Sequence, residues 1–207
     1  MMKNKIIIIG ITFLFLIPIS GNTINSESSN NDILYVDDDG GADYTRIQDA
    51  IDNASDGDTI FVYNGVYHEF IRINKSSIQL KGESKHSTII DGSGSDRIIF
   101  ITSSWISISN FTITNCSESG IGIQMGDFIS STHITLENNI ILDIGYGILS
   151  PSTLIGFGNR HLYHRIINNE IRNSRICAIE FSVTDMSIIK RRRSRCELYH
   201  HYGREFL

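Results

Sequence analysis

The sequence predicts an all-β protein, a right-handed parallel β-helix with a short capping helix at its N-terminal end. Three segments repeat one pattern, in which a short alternating run meets an Asn and a second short run follows: Ile106–Ile113, Ile134–Ile141 and His164–Ile171. The aligned asparagines lie 28 and 30 residues apart: Asn110, Asn138 and Asn168. A period of 20 to 50 residues built from short strands is typical of a solenoid.

The first helix is expected just after the first strand. Ile33–Val36 reads as a strand, and residues 37–41 form a turn. Tyr44–Ala54 carries an apolar stripe at i, i+3, i+4 and i+7. Thr45 and Gln48 suit a capping box, and Gly57 suits a helix stop. Since a solenoid end exposes apolar core and open strand edges, this helix is the natural N-terminal cap.

Short strands follow the helix, with Gly, Asn, Asp and Ser between them. Before the three repeats we expect strands at Thr59–Val62, Phe70–Ile73, Ile78–Leu80, Thr88–Ile90 and Ile98–Ile101. No second helix of useful length is visible, which argues against a βαβ sheet.

The repeated asparagines are predicted to form a structural ladder. Stacked coils place equivalent residues about 4.8 Å apart. An Asn amide donates to one coil and accepts from the other, and Asn tolerates the left-handed backbone of a sharp corner. Asn110, Asn138 and Asn168 therefore favour a hydrogen-bonded ladder over a ligand site.

The chain divides into four parts. Residues 1–21 read as a signal peptide or retained anchor, with Lys3 and Lys5 before the apolar run Ile6–Ile19. Residues 22–32 are a polar linker, 33–185 the β-helix, and 186–207 an atypical tail rich in Lys and Arg. The tail reads either as a basic arm for an anionic polymer or as out-of-frame sequence after a truncated array, and the lack of a visible C-terminal cap favours truncation.

Composition narrows the function classes. A net charge of −5 argues against nucleic acid as a partner, and membrane contact is expected only through an uncleaved N-terminal segment. The three cysteines make no disulfide framework, and Cys116 and Cys177 read as buried residues that could stack on each other.

Four segments of the chain match the opening of a known family: Tyr35–Ile51, Asp56–Glu69, Leu80–Glu83 and Thr88–Gly92. In these segments the chain resembles the pectin-lyase-like superfamily, and the resemblance covers about Leu34 to Phe181. The chain is most similar to exported β-helix repeat proteins of archaeal and bacterial surfaces, including the NosD type. The resemblance implies the fold. The superfamily contains lyases, hydrolases, esterases and non-enzymatic proteins, so it implies no single activity.

Pectin methylesterases of this superfamily begin in the same way, and their catalysis uses aspartates, an arginine and glutamines on later coils. The matching segments are not found in this chain. The nearest fragment holds Gln124 and Asp127 in a different context, so we assign no catalytic residues.

Several groups of polar or aromatic residues are candidate sites. Asp37, Asp38, Asp39 and Asp43 could hold Ca²⁺, although a solvated turn is the preferred interpretation and no cofactor is expected. Asp91 and Asp96 flank a glycine-rich segment. A simple loop is the preferred interpretation there, and a catalytic carboxylate pair is the alternative. His161 and His164 are spaced as a pair of metal ligands, but no third ligand is visible. Trp105 and Tyr146 could form a sugar-stacking platform if they are exposed, or they could pack in the core. His200 and His201 lie further on.

Four Asn-x-Ser/Thr sequons are glycan acceptors in principle for an exported chain. Asn74 in a turn is the best candidate, followed by Asn53 and Asn115, whereas Asn110 is also a ladder residue.

The sequence predicts a secreted or cell-surface protein with a binding or structural role, towards a polysaccharide or surface glycan. A polysaccharide lyase or hydrolase is the first alternative. A periplasmic metal handler of the NosD type is the second, and four Met in the chain give it little support.

Overall fold

The strands of the protein stack in parallel as the coils of a β-solenoid. The computed structural model describes residues 31–126, 131–150, 163–181, 186–190 and 198–200. In chain order the elements are β1 (Ile33–Val36), α1 (Ile47–Asn53), β2 (Thr59–Val62), β3 (Gly65–His68), β4 (Ile71–Ile73), β5 (Gln79–Gly82), β6 (Thr88–Ile101), β7 (Ser107–Ser109), β8 (Thr112–Met125), β9 (Thr135–Glu137), β10 (Ile140–Ser150), β11 (His164–Ile167), β12 (Glu170–Phe181), β13 (Met186–Lys190) and β14 (Leu198–His200).

Two parallel sheets contain all of these strands. Sheet A has the order β1-β2-β5-β7-β9-β11-β13, and sheet B has the order β14-β12-β10-β8-β6-β3, with β4 paired to β6. The prediction of a parallel β-helix with one short helix is confirmed. The strands β13 and β14 lie within the 186–207 segment and continue the two sheets.

Each long strand of sheet B has two arms joined at a corner. In β6 the first arm pairs with β3 and the second with β4, and the register shifts between them. The predicted strands Thr88–Ile90 and Ile98–Ile101 are these two arms. Sheet A and the two arms therefore form three walls around the core. The strand β3 was not predicted from the sequence.

Left-handed backbone marks the three corners of a coil. Before sheet A, φ is positive at Ser77, Trp105, His133 and Tyr163; after sheet A, at Asn110, Asn138 and Asn168; between the arms of sheet B, at Asn115, Asp143 and Asn173. Within each set, successive residues lie 28 or 30 residues apart. Since non-glycine residues rarely adopt this geometry, its recurrence shows that each coil turns at the same places.

Columns of aliphatic side chains fill the interior. On sheet A the register aligns Ile60, Leu80, Ile108, Leu136 and Ile166, all at most 4% exposed. The arms of sheet B add Ile90, Ile113, Ile141 and Ile171 in one column, and Ile71, Ile99, Ile123, Ile148 and Ile179 in the other. Fully burying one such side chain contributes about 1.5–3 kcal/mol, so the columns dominate the stability of the stack.

The capping helix is shorter than predicted. Tyr44 forms a bridge with Val36, and Arg46 is an extended N-cap, so residues 44–46 are not helical. The buried residues of α1 are Ile47, Ala50 and Ile51, and they lie over β1, β2 and β4. The helix covers the apolar end of the core, as the stripe predicted.

The predicted capping box is wrong, because the helix N-terminus is capped from another coil. No side chain of the N-cap residue bonds the helix. The Glu69 carboxylate accepts from the N–H of Ile47 at 2.9 Å and from that of Gln48 at 3.0 Å. Gln48 instead contacts Arg72, accepting from its N–H at 2.8 Å. The carboxylate satisfies two free N–H groups and complements the helix dipole.

The C-terminal end of the helix also differs from expectation. Ala54 is an extended C-cap, and the helix ends before Gly57. Gly57 does take φ +103°, but in the turn that leads into β2, where Asp58 accepts from the N–H groups of Ser55 and Asp32. The glycine therefore serves the turn and not the helix stop.

Two asparagine columns follow sheet A, one outer and one inner. In the outer column, Asn138 Nδ2 donates to Asn110 Oδ1 at 2.8 Å, and Lys85 Nζ donates to Asn138 Oδ1 at 2.9 Å. The inner column, Asn139 and Asn169, was missed, although the doublet Asn-Asn occurs in two of the three repeats.

The inner column satisfies the buried backbone at this corner. Asn139 is fully buried; its Oδ1 accepts from the N–H of Phe111 at 3.0 Å, and its Nδ2 donates to the carbonyl of Ile108 at 3.0 Å and to Asn169 Oδ1 at 3.0 Å. Asn169 Nδ2 donates in turn to the carbonyl of Leu136 at 2.7 Å. Buried backbone groups without such partners would cost free energy.

Replacing Glu69 should destabilise the N-terminal cap. We expect Glu69→Ala to lower the free energy of unfolding by about 3 kcal/mol, because two backbone hydrogen bonds to a buried carboxylate are lost. Glu83→Ala is the control, since the exposed Glu83 accepts one N–H, that of Asn64 at 3.0 Å. Urea denaturation measures both. Equal losses in the two variants would contradict this account of the cap.

Replacing Asn139 should cost more than replacing its neighbour. Asn139→Leu leaves the N–H of Phe111 and the carbonyl of Ile108 without this partner inside the core. We expect a loss of about 3 kcal/mol. The control is Asn138→Gly, which removes the outer amide while permitting φ +56°, and it should cost about 1 kcal/mol. A larger loss for Asn138→Gly in urea denaturation would show that the outer column is the dominant one.

Candidate functional site

Three aromatic rings stack on the surface at the corner before sheet A. Trp105 and His133 have ring centroids 3.7 Å apart at 14°, and His133 and Tyr163 have centroids 4.8 Å apart at 20°. Trp105 is 58% exposed and Tyr163 is 49% exposed. The equivalent residue one coil earlier is Ser77, which has no ring, so within the described part of the chain no aromatic ring stacks on the other face of Trp105. We call these three residues the ring column.

Hydroxyl groups lie beside the ring column. Ser76 Oγ and Ser103 Oγ are 2.9 Å apart, and Thr132 Oγ1 lies 3.3 Å from Ser104 Oγ. Thr132 Oγ1 also lies 3.1 Å from His133 Nδ1, which helps to orient the middle ring. A planar apolar surface thus adjoins groups that both donate and accept hydrogen bonds.

The outer face of sheet A continues from the ring column. Register and alternation place two rows of mainly polar residues on it: Gln79, Ser107, Thr135 and Arg165 in one, and Lys81, Ser109, Glu137 and Ile167 in the other. The outer asparagine column bounds this face on its far side. We call the area between the two columns the sheet A face.

Tyr146 does not share this surface with Trp105. It lies in β10 of sheet B, where its register partners are Ile121 and Cys177. The structure brings Trp105 together with His133 and Tyr163 instead. The 28- and 30-residue spacing of the three residues is the sequence signal that would have found this stack.

The acidic turn after β1 is bound largely by backbone groups. Among the described residues, the carboxylates of Asp37, Asp38 and Asp39 lie close enough together to share a cation. Their ligand atoms are within 4.8 Å of one another. Asp37 accepts from the N–H of Asp39, and Asp38 accepts from that of Val66. Asp43 is outside this group and accepts from the N–H of Tyr35 at 2.9 Å. These contacts fix the turn against β1 and β3.

Asp91 and Asp96 each hold local hydrogen bonds. Asp91 Oδ1 accepts from the N–H of Ser93 at 2.7 Å and from Asn115 Nδ2 at 2.8 Å, and Asp96 Oδ1 accepts from Ser117 Oγ at 3.1 Å. His68 Nδ1 lies 3.7 Å from Asp91 Oδ1 and 3.3 Å from Ser93 Oγ.

This grouping of Ser93, His68 and Asp91 does not fit a nucleophilic relay. A relay needs the hydroxyl on one ring nitrogen and the carboxylate on the other. Here both approach the same nitrogen, Nδ1, on an exposed ring. The contacts organise the corner between the arms of sheet B.

His164 belongs to the core of the coil. Its position follows Ile78, Ile106 and Ile134 in one inward column, and it is 4% exposed. Its Nδ1 accepts from the N–H of Ile134 at 3.3 Å. Burial, with a smaller contribution from His133, lowers its pKa from 6.5 to about 4, so the ring is neutral at pH 7. His161 and His201 lie outside the described residues, and the side chain of His200 is not described.

Gln124 has apolar register partners. It is 6% exposed, lies between Phe100 and Leu149, and its Nε2 donates to the carbonyl of Gly126 at 3.1 Å. Asp127 lies outside the described residues. Within the described part of the chain, neither adjacent coil offers a carboxylate at this position.

The two described cysteines are buried but do not stack on each other. Cys116 pairs in register with Ser95, and Cys177 pairs with Tyr146, so they lie in different columns. The expectation of a cysteine stack is wrong, because Cys177 lies in the second arm and Cys116 at the corner. Cys196 lies outside the described residues.

The sequons occupy different surroundings. Asn74 is exposed after β4, and Asn53 is exposed at the end of α1, where its Nδ2 donates to the carbonyl of Asp49. Asn115 Nδ2, the atom that would carry a glycan, donates to Asp91. Asn74 stays the preferred acceptor as a prediction.

No family model matches the chain, and no curated protein matches it. Among solved structures, the chain is similar to a pectin methylesterase from carrot, with 15% identity and a TM-score of 0.47 over 68% of this chain and 63% of that chain. It is also similar to the pectin methylesterase PemA from Erwinia chrysanthemi, with 15% identity and a TM-score of 0.42 over 72% and 69% of the two chains. A third is a pectin methylesterase in complex with a hexasaccharide, with 16% identity, a TM-score of 0.42 and coverage of 68% and 66%.

The chain has the parallel β-helix fold that the resemblance to the pectin-lyase-like superfamily implied. The strand pairing within this chain establishes that fold. The chain spans 63% of the carrot enzyme's length. Among the described residues, no helix has both the length and the apolar character needed to cross a membrane.

The buried His164 should make stability sensitive to acid. Its pKa is about 4 in the folded protein and 6.5 in the unfolded chain, so the unfolded chain binds more protons between these values. Stability should therefore fall as pH drops from 6.5 to 4, by about 3 kcal/mol in total. His164→Ile, which restores the residue of the three earlier coils, should remove this part of the pH dependence.

Urea midpoints at pH 7.5 and 4.5 measure the effect. His86→Gln is the control, because His86 is exposed and its replacement should leave the pH profile unchanged. If His164→Ile lost as much stability on acidification as the unmodified protein, burial of His164 would not be the cause.

Proposed function

We propose that the protein is an exported glycan-binding β-helix protein whose sheet A face, beginning at the ring column, contacts the carbohydrate. The observation that carries the proposal is the exposed Trp105 ring, which stacks on His133 with one face and has no aromatic neighbour among the described residues on the other. A sugar ring presents an apolar C–H face with hydroxyl groups around its rim. It needs a planar apolar surface with hydrogen-bonding groups beside it.

The stack also stabilises the coils, by about 0.5–1.5 kcal/mol per ring pair. Stability alone does not account for the residue types at this corner. Each ring residue has left-handed backbone, which bulky side chains disfavour, and Ser77 makes the same corner one coil earlier. Strain of this kind clusters at functional sites. This comparison supports a role for the Trp105 ring outside the fold.

The polar content of the sheet A face supports the same role. Its rows offer hydroxyl, amide, ammonium and carboxylate groups within reach of the ring column, which suits a polyhydroxylated ligand.

The apolar segment Ile6–Ile19 supports export to the cell surface or beyond, where such ligands occur. Asn74, which is exposed after β4, is proposed as a glycan acceptor.

Fluorescence provides a direct test, because Trp105 is the single tryptophan of the chain. We expect a polysaccharide that binds to shift or quench its emission in a saturable way. A panel of xylan, laminarin, hydroxyethyl cellulose and polygalacturonate should be titrated, with retardation in native gels that contain the same polymers as a second readout. Trp105→Ala should lower retention at least tenfold.

Phe70→Ala is the matched control, because Phe70 is an aromatic residue 47% exposed beside β4, away from sheet A. Its retention should equal that of the unmodified protein. Circular dichroism should show that Trp105→Ala keeps its strand content. The proposal fails if no polymer alters the emission or retards the protein, or if Trp105→Ala is retained as strongly as Phe70→Ala.

A further inference from the structure

A second group of aromatic rings lies at the start of sheet A, with Tyr35 in β1, Phe61 in β2 and Tyr63 directly after β2. Tyr35 and Tyr63 have ring centroids 6.1 Å apart at 22°, and Phe61 meets both edge-on at 6.0 and 5.3 Å. Tyr35 is 38% exposed, and the adjacent Ile33 is 51% exposed. The sequence did not single out these residues. We call Tyr35, Phe61 and Tyr63 the N-terminal cluster.

Backbone contacts fix the cluster in place. Tyr35 and Phe61 are register partners on the outer side of β1 and β2. The N–H of Tyr63 donates to the carbonyl of Val36 at 2.9 Å, and the Tyr67 hydroxyl donates to the carbonyl of Tyr63 at 3.0 Å. Burial raises the pKa of Tyr67 to about 12, so its hydroxyl stays a donor. The rings are therefore held on a preorganised support.

The cluster and the ring column lie at opposite ends of one continuous face. The row that contains Tyr35 and Phe61 continues as Lys81 and Ser109. Phe61 and Trp105 are two strand spacings apart along the axis and four residues apart along the strand direction. This places them on the order of 15 Å from each other.

The surface between the two aromatic groups is polar, and half of the residues at its centre are serines with short side chains. Its centre carries Gln79 and Ser107 in one row and Lys81 and Ser109 in the next, and all four are exposed or half-buried. Short hydroxyl side chains leave room for a ligand that lies flat on the sheet, while the amide and ammonium groups can hydrogen-bond to its hydroxyls.

The size of the cluster argues against a protein partner. A stable protein interface uses about 20–30 residues on each side, with a well-packed apolar centre. The N-terminal cluster offers three rings and Ile33, and it borders the acidic turn at Asp37–Asp39. A small aromatic patch that continues into a hydroxyl-bearing strip suits a polymer of sugars.

We propose that the N-terminal cluster is a second glycan-contacting site, and that one polysaccharide chain runs across the sheet A face and touches both aromatic groups. This inference rests on the proposed function. It adds that the ligand is an extended polymer, longer than a disaccharide, and that Tyr35, Phe61 and Tyr63 contribute to its affinity. Two linked weak contacts bind far more tightly than either alone, because the second is intramolecular.

The test compares Tyr63→Ala, Trp105→Ala and Phe70→Ala on the polymer that the panel retains most, and on its disaccharide. On the polymer, we expect Tyr63→Ala and Trp105→Ala each to lower the affinity at least tenfold, while Phe70→Ala changes nothing. On the disaccharide, which reaches one aromatic group only, Tyr63→Ala should leave the Trp105 fluorescence titration unchanged. The urea midpoint of each variant checks its folding.

The outcomes separate this inference from the proposed function. If Trp105→Ala loses polymer binding and a folded Tyr63→Ala keeps it, the second site is refuted and the first stands. Should Tyr63→Ala weaken the disaccharide titration as much as the polymer, a spanning chain is refuted. If no polymer binds, the proposed function fails and this inference with it. A concentration-dependent dimer of the unmodified protein that Tyr63→Ala abolishes would instead assign the cluster to contact between copies.

Discussion

Stacking of equivalent residues, coil upon coil, is the constraint on which the rest of the structure depends. Each coil must return to the same place about 4.8 Å further along the axis, or the parallel ladders cannot form. The chain meets this requirement by turning at three fixed corners, where left-handed backbone recurs with the 28- and 30-residue period. Asn138 shows how a residue can adopt this unfavourable left-handed backbone and still contribute to stability. Asn tolerates this geometry, and its amide also joins one coil to the next.

The same constraint explains what the sequence could and could not predict. The period and the alternating Ile residues predict the columns, because register follows from repetition. The cap of α1 was mispredicted because Thr45 and Gln48 fit a local rule, whereas Glu69, 22 residues from Ile47, makes the actual bonds. Similarly, Phe111 stands where Asn139 and Asn169 stand in later coils, so the inner amide column does not repeat in all three copies.

The exposure of Trp105 could not be predicted from the sequence, for a related reason. Its neighbours alternate with Ile, which favours a place in the core as much as one on the surface. The deciding feature is its φ of +63°, a corner geometry that takes the residue out of the strand alternation. His164, one residue after the equivalent corner residue Tyr163, follows the alternation and points inward, where it replaces isoleucine. The adjacent residues Tyr163 and His164 are therefore exposed and buried respectively, because the backbone turns at Tyr163.

Columns that order the interior also order the outside, and this limits where a ligand can bind. The outer row of the second arm of sheet B holds Phe100 and Gln124, at 8% and 6% exposure, so that wall presents little free surface at this level. The outer rows of sheet A are half-buried or exposed, one of them begins with Tyr35 and Phe61, and the ring column lies beside the later strands. Because each row repeats along the axis, its chemistry forms a strip and not a pocket. A strip matches a polymer whose units repeat in one direction, and it offers a small molecule little enclosure.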